Sequence, residues 1–298
     1  MRRKTESKML NVIHIGSKDQ TPTFVIYGEP AGPFILTDPG MAWRAGKTME
    51  EIIEVIGGRE PDAMLLTHSH YDHAGALPYF KEKWPDMEVI ASGRAAEILK
   101  KEKARALIRE LSEDAARSVG AQLEDYDVSL LEADRTVADG ETVDISGTSV
   151  NVIATPGHTK DSTSYYIDGS ILVTSESMGF LNLDGSYCPQ YLVSASDCEE
   201  SLNKSKALGA DRVCVLHNGV TKSPGPEFWA RFENGLRDSV AFMYDVMARC
   251  EEPQERLDLL AAHFWRPEEY GGWPRSAFDI NYTAMMKTLE REMPENDG

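Results

Sequence analysis

Cysteine is scarce in this chain: Cys188, Cys198, Cys214 and Cys250 are the four among 298 residues, and no two form a C-x-x-C pair. That spacing excludes a dense disulfide framework and a cysteine-ligated zinc knuckle, and leaves reduced, structural thiols. Positive charge is in deficit as well. Against 49 Asp+Glu stand 31 Lys+Arg, a net charge of −18, and a chain of this sign repels the phosphate backbones that nucleic-acid binders must neutralise. No nucleic-acid partner is expected. Long hydrophobic runs are missing too. Apolar runs such as Ala63 to Leu66 and Ile171 to Val173 fall far short of the ~20 residues of a membrane span, so no membrane partner is expected either. The first ten residues are basic and polar and show no apolar stretch with a small-residue cleavage site, which makes the cytoplasm the expected compartment.

What is present is material for a sizeable core, with 41% hydrophobic residues. The length fits two small domains or one large body of helices and strands with an appendage. Three β-rich runs, Val12 to Ile15, Thr23 to Tyr27 and Phe34 to Thr37, predict an antiparallel meander. Met49 to Ile56 has helical spacing and ends at Gly57-Gly58, and Ala63 to Leu66 reads as a buried strand. Ala74 to Lys83 reads as a helix and Met87 to Ala91 as a strand. A long charged helical stretch then runs from Gly93 to about Leu123. Glu141 to Ile145 and Thr148 to Ala154 flank Ser146-Gly147 as a hairpin, Ser164 to Ile167 and Ile171 to Thr174 flank Asp168-Gly169 in the same way, and Arg212 to Leu216 is a further strand. Beyond Pro226 the texture becomes helical through Phe228 to Arg249, Gln254 to Trp265 and Ala277 to Met293. Ser276 with Asp279 has the form of a capping box opening the last helix, and Pro274, Ser276 and Phe278 read as a linker that could approach the site described next.

Histidine is the unusual feature. Three of the seven histidines lie within the six residues from His68 to His73. His68, His70, Asp72, His73, His158, Glu176 and His217 all follow apolar strand-like runs, and loops at strand ends can converge on one point. Seven donors of this kind suit two metal ions. Imidazole with carboxylate, and no nearby thiolate, favours borderline divalent metals, with zinc first and iron or manganese as alternatives. An isolated loop histidine such as His158 is ordinarily a hydrogen-bonded structural residue. The compound pattern is different, because three histidines and an aspartate at one strand end would cost roughly 1 to 3 kcal/mol for each buried polar group left unpaired, a cost that metal ligation removes.

The segment Thr67 to Gly75, T-H-S-H-Y-D-H-A-G, resembles the H-x-H-x-D-H signature of the metallo-β-lactamase superfamily. Thr155 to Thr159 resembles that family's third-histidine loop, Leu172 to Glu176 its strand followed by a bridging carboxylate, and His217 its last histidine. The resemblance implies that His68, His70 and His158 hold one ion, that Asp72, His73 and His217 hold the other, and that Glu176 bridges them. It implies an α+β fold, the four-layer αβ/βα sandwich, here with a core of residues 1–225, a charged helical insert at 93–123 and a helical C-terminal extension at 226–298 packing near the active site. Two positions depart from the family: its bridging residue is usually Asp, one methylene shorter than Glu176, and Asn218-Gly219 follows His217 where a Gly-His-Gly loop is common.

The chemistry implied is metal-assisted hydrolysis in which hydroxide shared by two cations, its pKa lowered from about 15.7 toward about 7, is the nucleophile and Asp72 is the catalytic carboxylate that orients it or accepts its proton. Ser69 and Ser175 then need no nucleophilic role. Superfamily members act on lactams, thioesters, lactones and phosphodiesters, and the fold alone does not choose among them. The order of core, insert and aromatic-rich helical end resembles the quinolone-signal response thioesterase branch and, more distantly, glyoxalase II and the acyl-homoserine lactonases, which implies a small acyl ester, thioester or lactone as substrate. Two rival classes are a regulatory or signal-binding protein with an attenuated metal site, and a di-iron redox protein; the redox relatives usually place Glu where His70 stands and rely on a flavin-bearing partner domain for which this chain has no room. The acidic surface is compatible with a homodimer.

Overall fold

The computed structural model describes residues 10–16, 23–29, 32–267 and 275–293. Two six-stranded sheets face each other. The first contains β1 (Asn11–His14), β2 (Phe24–Tyr27), β3 (Phe34–Thr37), β4 (Ala63–Leu65), β5 (Glu88–Ser92) and β6 (Arg135–Val137) in that order, an antiparallel meander continued by parallel strands. The second contains β7 (Thr142–Ile145), β8 (Thr148–Ala154), β9 (Thr163–Ile167), β10 (Ile171–Val173), β13 (Arg212–Val215) and β14 (Gly219–Lys222), with the small hairpin β11 (Phe180–Leu181) and β12 (Tyr187–Cys188) outside both sheets. Ser146 and Gly147 both take positive φ between β7 and β8, the backbone of a tight hairpin turn whose twist suits the flanking strands.

The period of two along each strand decides what lies between the sheets. Ala63 and Leu65 point inward with Ile35, Ile90, Val150, Val152, Ile171 and Val173, whereas Met64 points outward to pack with Phe80 and Leu77. The outer face of the first sheet is covered by α1 (Ala45–Ile56), α2 (Tyr71–Ala74), α3 (Leu77–Lys83), α4 (Gly93–Leu99) and α5 (Glu102–Ser118). The outer face of the second, through Leu172, Val213 and Val215, meets Leu202 of α6 (Ala195–Ala207) and Trp229 and Phe232 of α7 (Pro226–Arg249). With α8 (Pro253–Phe264) and α9 (Arg275–Glu292) the layers run helix, sheet, sheet, helix, the four-layer α+β sandwich. No helix among the described residues is long and apolar enough to cross a membrane.

Several elements differ from the sequence-based expectation. The stretch from Gly93 is two helices, broken where Lys101 adopts extended backbone; the break lets Arg105 Nε donate to Leu99 O at 2.7 Å while its Nη2 reaches Ser129 O and Leu131 O. The helix expected at Ala74 to Lys83 is α3, beginning at Leu77, and Ala74 instead closes the separate short helix α2. Ser276 stands inside α9 rather than at its cap, and Asp279 pairs with Arg275 Nε at 2.6 Å. Phe278 likewise belongs to the helix, stacked on Tyr282 with ring centroids 3.9 Å apart, whereas Pro274 lies outside the described residues. Helix α6 escaped the sequence pattern because its buried face is made of Ala195, Cys198, Ser201, Leu202 and Ser205, with one large aliphatic side chain to signal a helical stripe.

Candidate functional site

The strands β8, β10 and β13 run in one direction, so their C-terminal ends deliver His158, Glu176 and His217 to one edge of the second sheet. The end of β4 delivers His68, His70, Asp72 and His73 from the first. Hydrogen bonds stitch the two sheets together at this edge: Tyr165 Oη donates to Leu66 O at 2.6 Å, Thr163 N to Thr67 O at 2.8 Å, and Ser69 N to Asp161 Oδ2 at 2.9 Å. The last of these pins the backbone between His68 and His70.

All seven side chains meet. Glu176, 5% exposed, sits at the centre. Its Oε1 lies 2.9 Å from His73 Nε2 and 2.5 Å from His217 Nε2, and its Oε2 lies 2.9 Å from His158 Nε2 and 4.0 Å from His68 Nε2. His158 Nε2 is 3.0 Å from His70 Nδ1, and Asp72 Oδ2 is 3.6 Å from His73 Nε2. Two groups result, His68, His70, His158 and Glu176 on one side and Asp72, His73, His217 and Glu176 on the other, each offering one donor atom per residue within 4.8 Å of the rest. The structure thus brings together the same side chains that the resemblance groups, with Glu176 common to both.

Around the ring of donors is a layer that sequence reasoning missed. Asp38, fully buried at the end of β3, accepts from His73 Nδ1 at 2.9 Å and from the Thr67 hydroxyl at 2.6 Å. Thr67 Oγ1 in turn accepts from His68 Nδ1 at 3.0 Å. His158 Nδ1 donates to the backbone carbonyl of Gln190 at 2.9 Å, and His158 N to Ser177 Oγ at 3.0 Å. Asp38, Thr67 and the Gln190 carbonyl each occupy an Nδ1 and leave the Nε2 of that ring turned inward, the arrangement that fixes tautomer and ring orientation in ligating histidines. A weak signal existed for Asp38, an acid at the end of a buried strand. A backbone carbonyl such as that of Gln190 has none.

Protonation follows the same geometry. Burial, reinforced by the neighbouring His73, His70 and His158 rings, holds the His68 imidazole well below its ordinary pKa, and burial with His158 alongside brings His70 down to about 4. Both are neutral at pH 7, the form in which imidazole ligates. Burial opposes charge on His73 also, but Asp72, Glu176 and the hydrogen bond to Asp38 raise it well above the usual range. Burial likewise opposes the Glu176 charge, and His73, His158 and His217 outweigh it, holding this carboxyl well below the usual carboxylate range.

The donor set fits a pair of divalent cations. His68 Nε2 is buried and has no hydrogen-bond partner, and a buried polar nitrogen left unsatisfied costs about 1 to 3 kcal/mol. It points at Glu176 together with three other imidazoles, whose Nε2 atoms lie 2.5 to 2.9 Å from that carboxylate, the mixture of nitrogen and oxygen donors that a borderline divalent cation takes. Asn218 explains the departure beside His217. Its side chain accepts from Leu181 N at 2.8 Å and donates to Leu181 O at 2.6 Å, tying the loop to β11, and His217 itself takes a left-handed φ of 63°. Phe180 lies against the His217 ring, tilted, with centroids 5.2 Å apart, an apolar wall at this side of the site.

A metallo-hydrolase of Bacillus subtilis (strain 168), named Probable metallo-hydrolase YqgX, is 31% identical over 118 residues, 40% of this chain; the match spans about half, 49%, of that relative's length. A solved metallo-beta-lactamase family protein from Thermus thermophilus superposes with a TM-score of 0.63 at 18% identity, covering 95% of this chain and 93% of the other. An archaeal metallo-beta-lactamase superfamily protein from Sulfolobus tokodaii does so with a TM-score of 0.57 at 18% identity, covering 95% and 99%. The family model described as the metallo-beta-lactamase superfamily matches residues 16–217, more than half of the chain. The chain therefore belongs to the metallo-beta-lactamase superfamily.

Proposed function

We propose that this protein is a metal-dependent hydrolase of small acyl esters, thioesters or lactones. The observation that carries the reading is the shared Glu176 carboxylate, within 2.9 Å of imidazoles from both clusters, with the partnerless Nε2 of His68 aimed at it. His68, His70 and His158 would hold one divalent cation, Asp72, His73 and His217 the other, and Glu176 both, with zinc as the first candidate and iron or manganese as alternatives. When bound, such a pair supplies Lewis acidity and a source of hydroxide at neutral pH.

The chain's own residues do the rest. Asp72 is the most exposed carboxylate of the set, at 22%, and is placed to orient the attacking water or to accept its proton. His70 and His217 are the half-buried histidines of the set, and the buried Phe180 backs the His217 ring. The net charge of −18 weighs against phosphodiesters of nucleic acid as substrates, because these need local positive charge. The relative named as a metallo-hydrolase supports the reaction class. The test is a panel of p-nitrophenyl esters, acyl thioesters and lactones assayed with purified protein before and after chelation, together with elemental analysis. Chelator-sensitive turnover of at least one acyl class, with two metal equivalents, is the expected result; a metal-free protein without turnover of any class would overturn the reading.

A further inference from the structure

The C-terminal extension grips the segment that orients His158. Three residues in the last two turns of α9 do this. Thr288 Oγ1 donates to Leu192 O at 2.8 Å, Arg291 Nη2 donates to Val193 O at 3.3 Å and to Thr288 Oγ1 at 2.8 Å, and Glu292 takes the start of α6. Its Oε1 accepts from Ser194 Oγ at 2.6 Å and Ser196 Oγ at 3.2 Å, and its Oε2 from Ala195 N at 3.1 Å. A carboxylate on the first amides of a helix is favourable in charge and satisfies donors that the helix itself cannot. Thr288 is fully buried, so its hydroxyl bond is sheltered from water.

The gripped segment faces the site on its other side. Gln190 O, two residues before Leu192, accepts from His158 Nδ1 at 2.9 Å. Val193 N and Ser194 N both donate to Gly157 O, at 3.0 and 3.1 Å, and Ser201 Oγ donates to Pro156 O at 2.7 Å. Between these contacts Tyr191 is fully buried among Met243, Phe278, Tyr282, Met285 and Leu289 of the extension. Residues 190–196 are thus a splint, bonded to the His158 loop on one face and to α9 on the other.

We propose that the end of α9, through Thr288 and Glu292, is a positioning element for His158: by holding residues 190–196 it keeps the Gln190 carbonyl on Nδ1 and so keeps Nε2 turned toward His68 and His70. This rests on the metal-centre reading above and adds to it a dependence of one cation site, and not the other, on residues 130 and 134 positions further along the chain than His158. In the second cluster, His73 is oriented by Asp38 and the His217 loop by Leu181, neither of which belongs to this splint.

The experiment is a zinc titration of the full-length protein in competition with a chelator. Thr288→Val preserves shape and removes the hydroxyl, and it should weaken one of two zinc equivalents by about tenfold, the lower end of the range for losing an outer partner of a metal ligand. Glu292→Ala should weaken the same equivalent. Thr288→Ser keeps the hydroxyl and should bind as the parent does, as should Tyr244→Phe, which deletes another bond between α7 and α9, from Tyr244 Oη to Leu289 O, without touching the splint. In a His158→Ala background, which has lost the dependent ligand, Thr288→Val should leave the remaining zinc affinity unchanged. Equal affinities for both equivalents in Thr288→Val and the parent would overturn the inference and leave the metal centre standing, as would an undiminished effect in the His158→Ala background. Failure of the parent to take up zinc or any other divalent cation would instead overturn the metal centre and the positioning role with it.

Discussion

His73 Nδ1 donates to Asp38 Oδ2 at 2.9 Å, and the same oxygen accepts from Thr67 Oγ1, the partner of His68 Nδ1. One buried carboxylate therefore sets the tautomer of an imidazole in each donor cluster. Asp38 has a φ of 31°, a backbone that asparagine tolerates nearly as well as aspartate, so Asp38→Asn isolates the charge. The amide keeps one accepting oxygen for His73 and the Thr67 hydroxyl, but its NH2 then opposes Thr67 N, which donates to Asp38 Oδ1 at 2.7 Å. Affinity for cations at both clusters should fall about 10- to 100-fold, read by chelator competition. Loss confined to one cluster would mean that Thr67 holds His68 without help.

Glu176 spans both clusters because its two oxygens face opposite ways, Oε1 toward His73 and His217 and Oε2 toward His158 and His68. Shortening the side chain by one methylene withdraws the carboxylate by about 1.5 Å. Glu176→Asp should therefore lower metal content and ester turnover together, by about tenfold or more. A sharp rise in turnover would be the opposite outcome and would identify the native centre as an attenuated one, as expected of a regulatory binding protein.

The convergence of the seven side chains was legible because the pattern is concentrated. Three histidines and an aspartate within six residues have no ordinary structural explanation, and each remaining candidate stands just past a strand whose apolar pattern is plain. Asp38 and Asp161 were not legible as site residues. An aspartate before Pro39-Gly40, or in a loop beside Thr159 and Ser162, is usual turn punctuation, and nothing local tells that its carboxylate accepts from a group 35 or 92 residues away. Helix α6 was hidden for a related reason, since Cys and Ser make its buried face and carry little hydrophobic periodicity. The two-helix insert shows the converse. Its spacing was read correctly as helical, but Lys100-Lys101 resembles a solvated helix face, and nothing local signals the break there, across which Arg105 bonds Leu99 O and Leu131 O.

The four cysteines are free and buried. Burial pushes the Cys188 thiol up to about 12 and raises Cys198 and Cys214 above the ordinary thiol range. Only the thiolate is nucleophilic, so at pH 8 the folded protein should react negligibly at these three positions with an aromatic disulfide reagent, and four thiols should appear on denaturation. Rapid labelling of Cys188, Cys198 or Cys214 in the folded state would contradict this burial.

Gly157 combines a positive φ of 130° with a close approach to α6. A Cβ there would lie 2.5 Å from Cys198 Sγ, 2.6 Å from Cys198 N and 2.9 Å from Cys198 Cα. The first of these contacts involves a side chain and could be relieved by Cys198→Ala. The other two involve backbone at the first turn of a helix, which cannot retreat without breaking the bonds from Val193 N and Ser194 N to Gly157 O. The unusual φ alone is worth about 1 to 3 kcal/mol for a residue with a side chain. Gly157→Ala should thus lower the melting temperature and remove the cation that depends on His158, and adding Cys198→Ala should restore neither. Recovery of full metal binding in the double variant would show that the sulfur, and not the helix backbone, sets the position of the His158 loop.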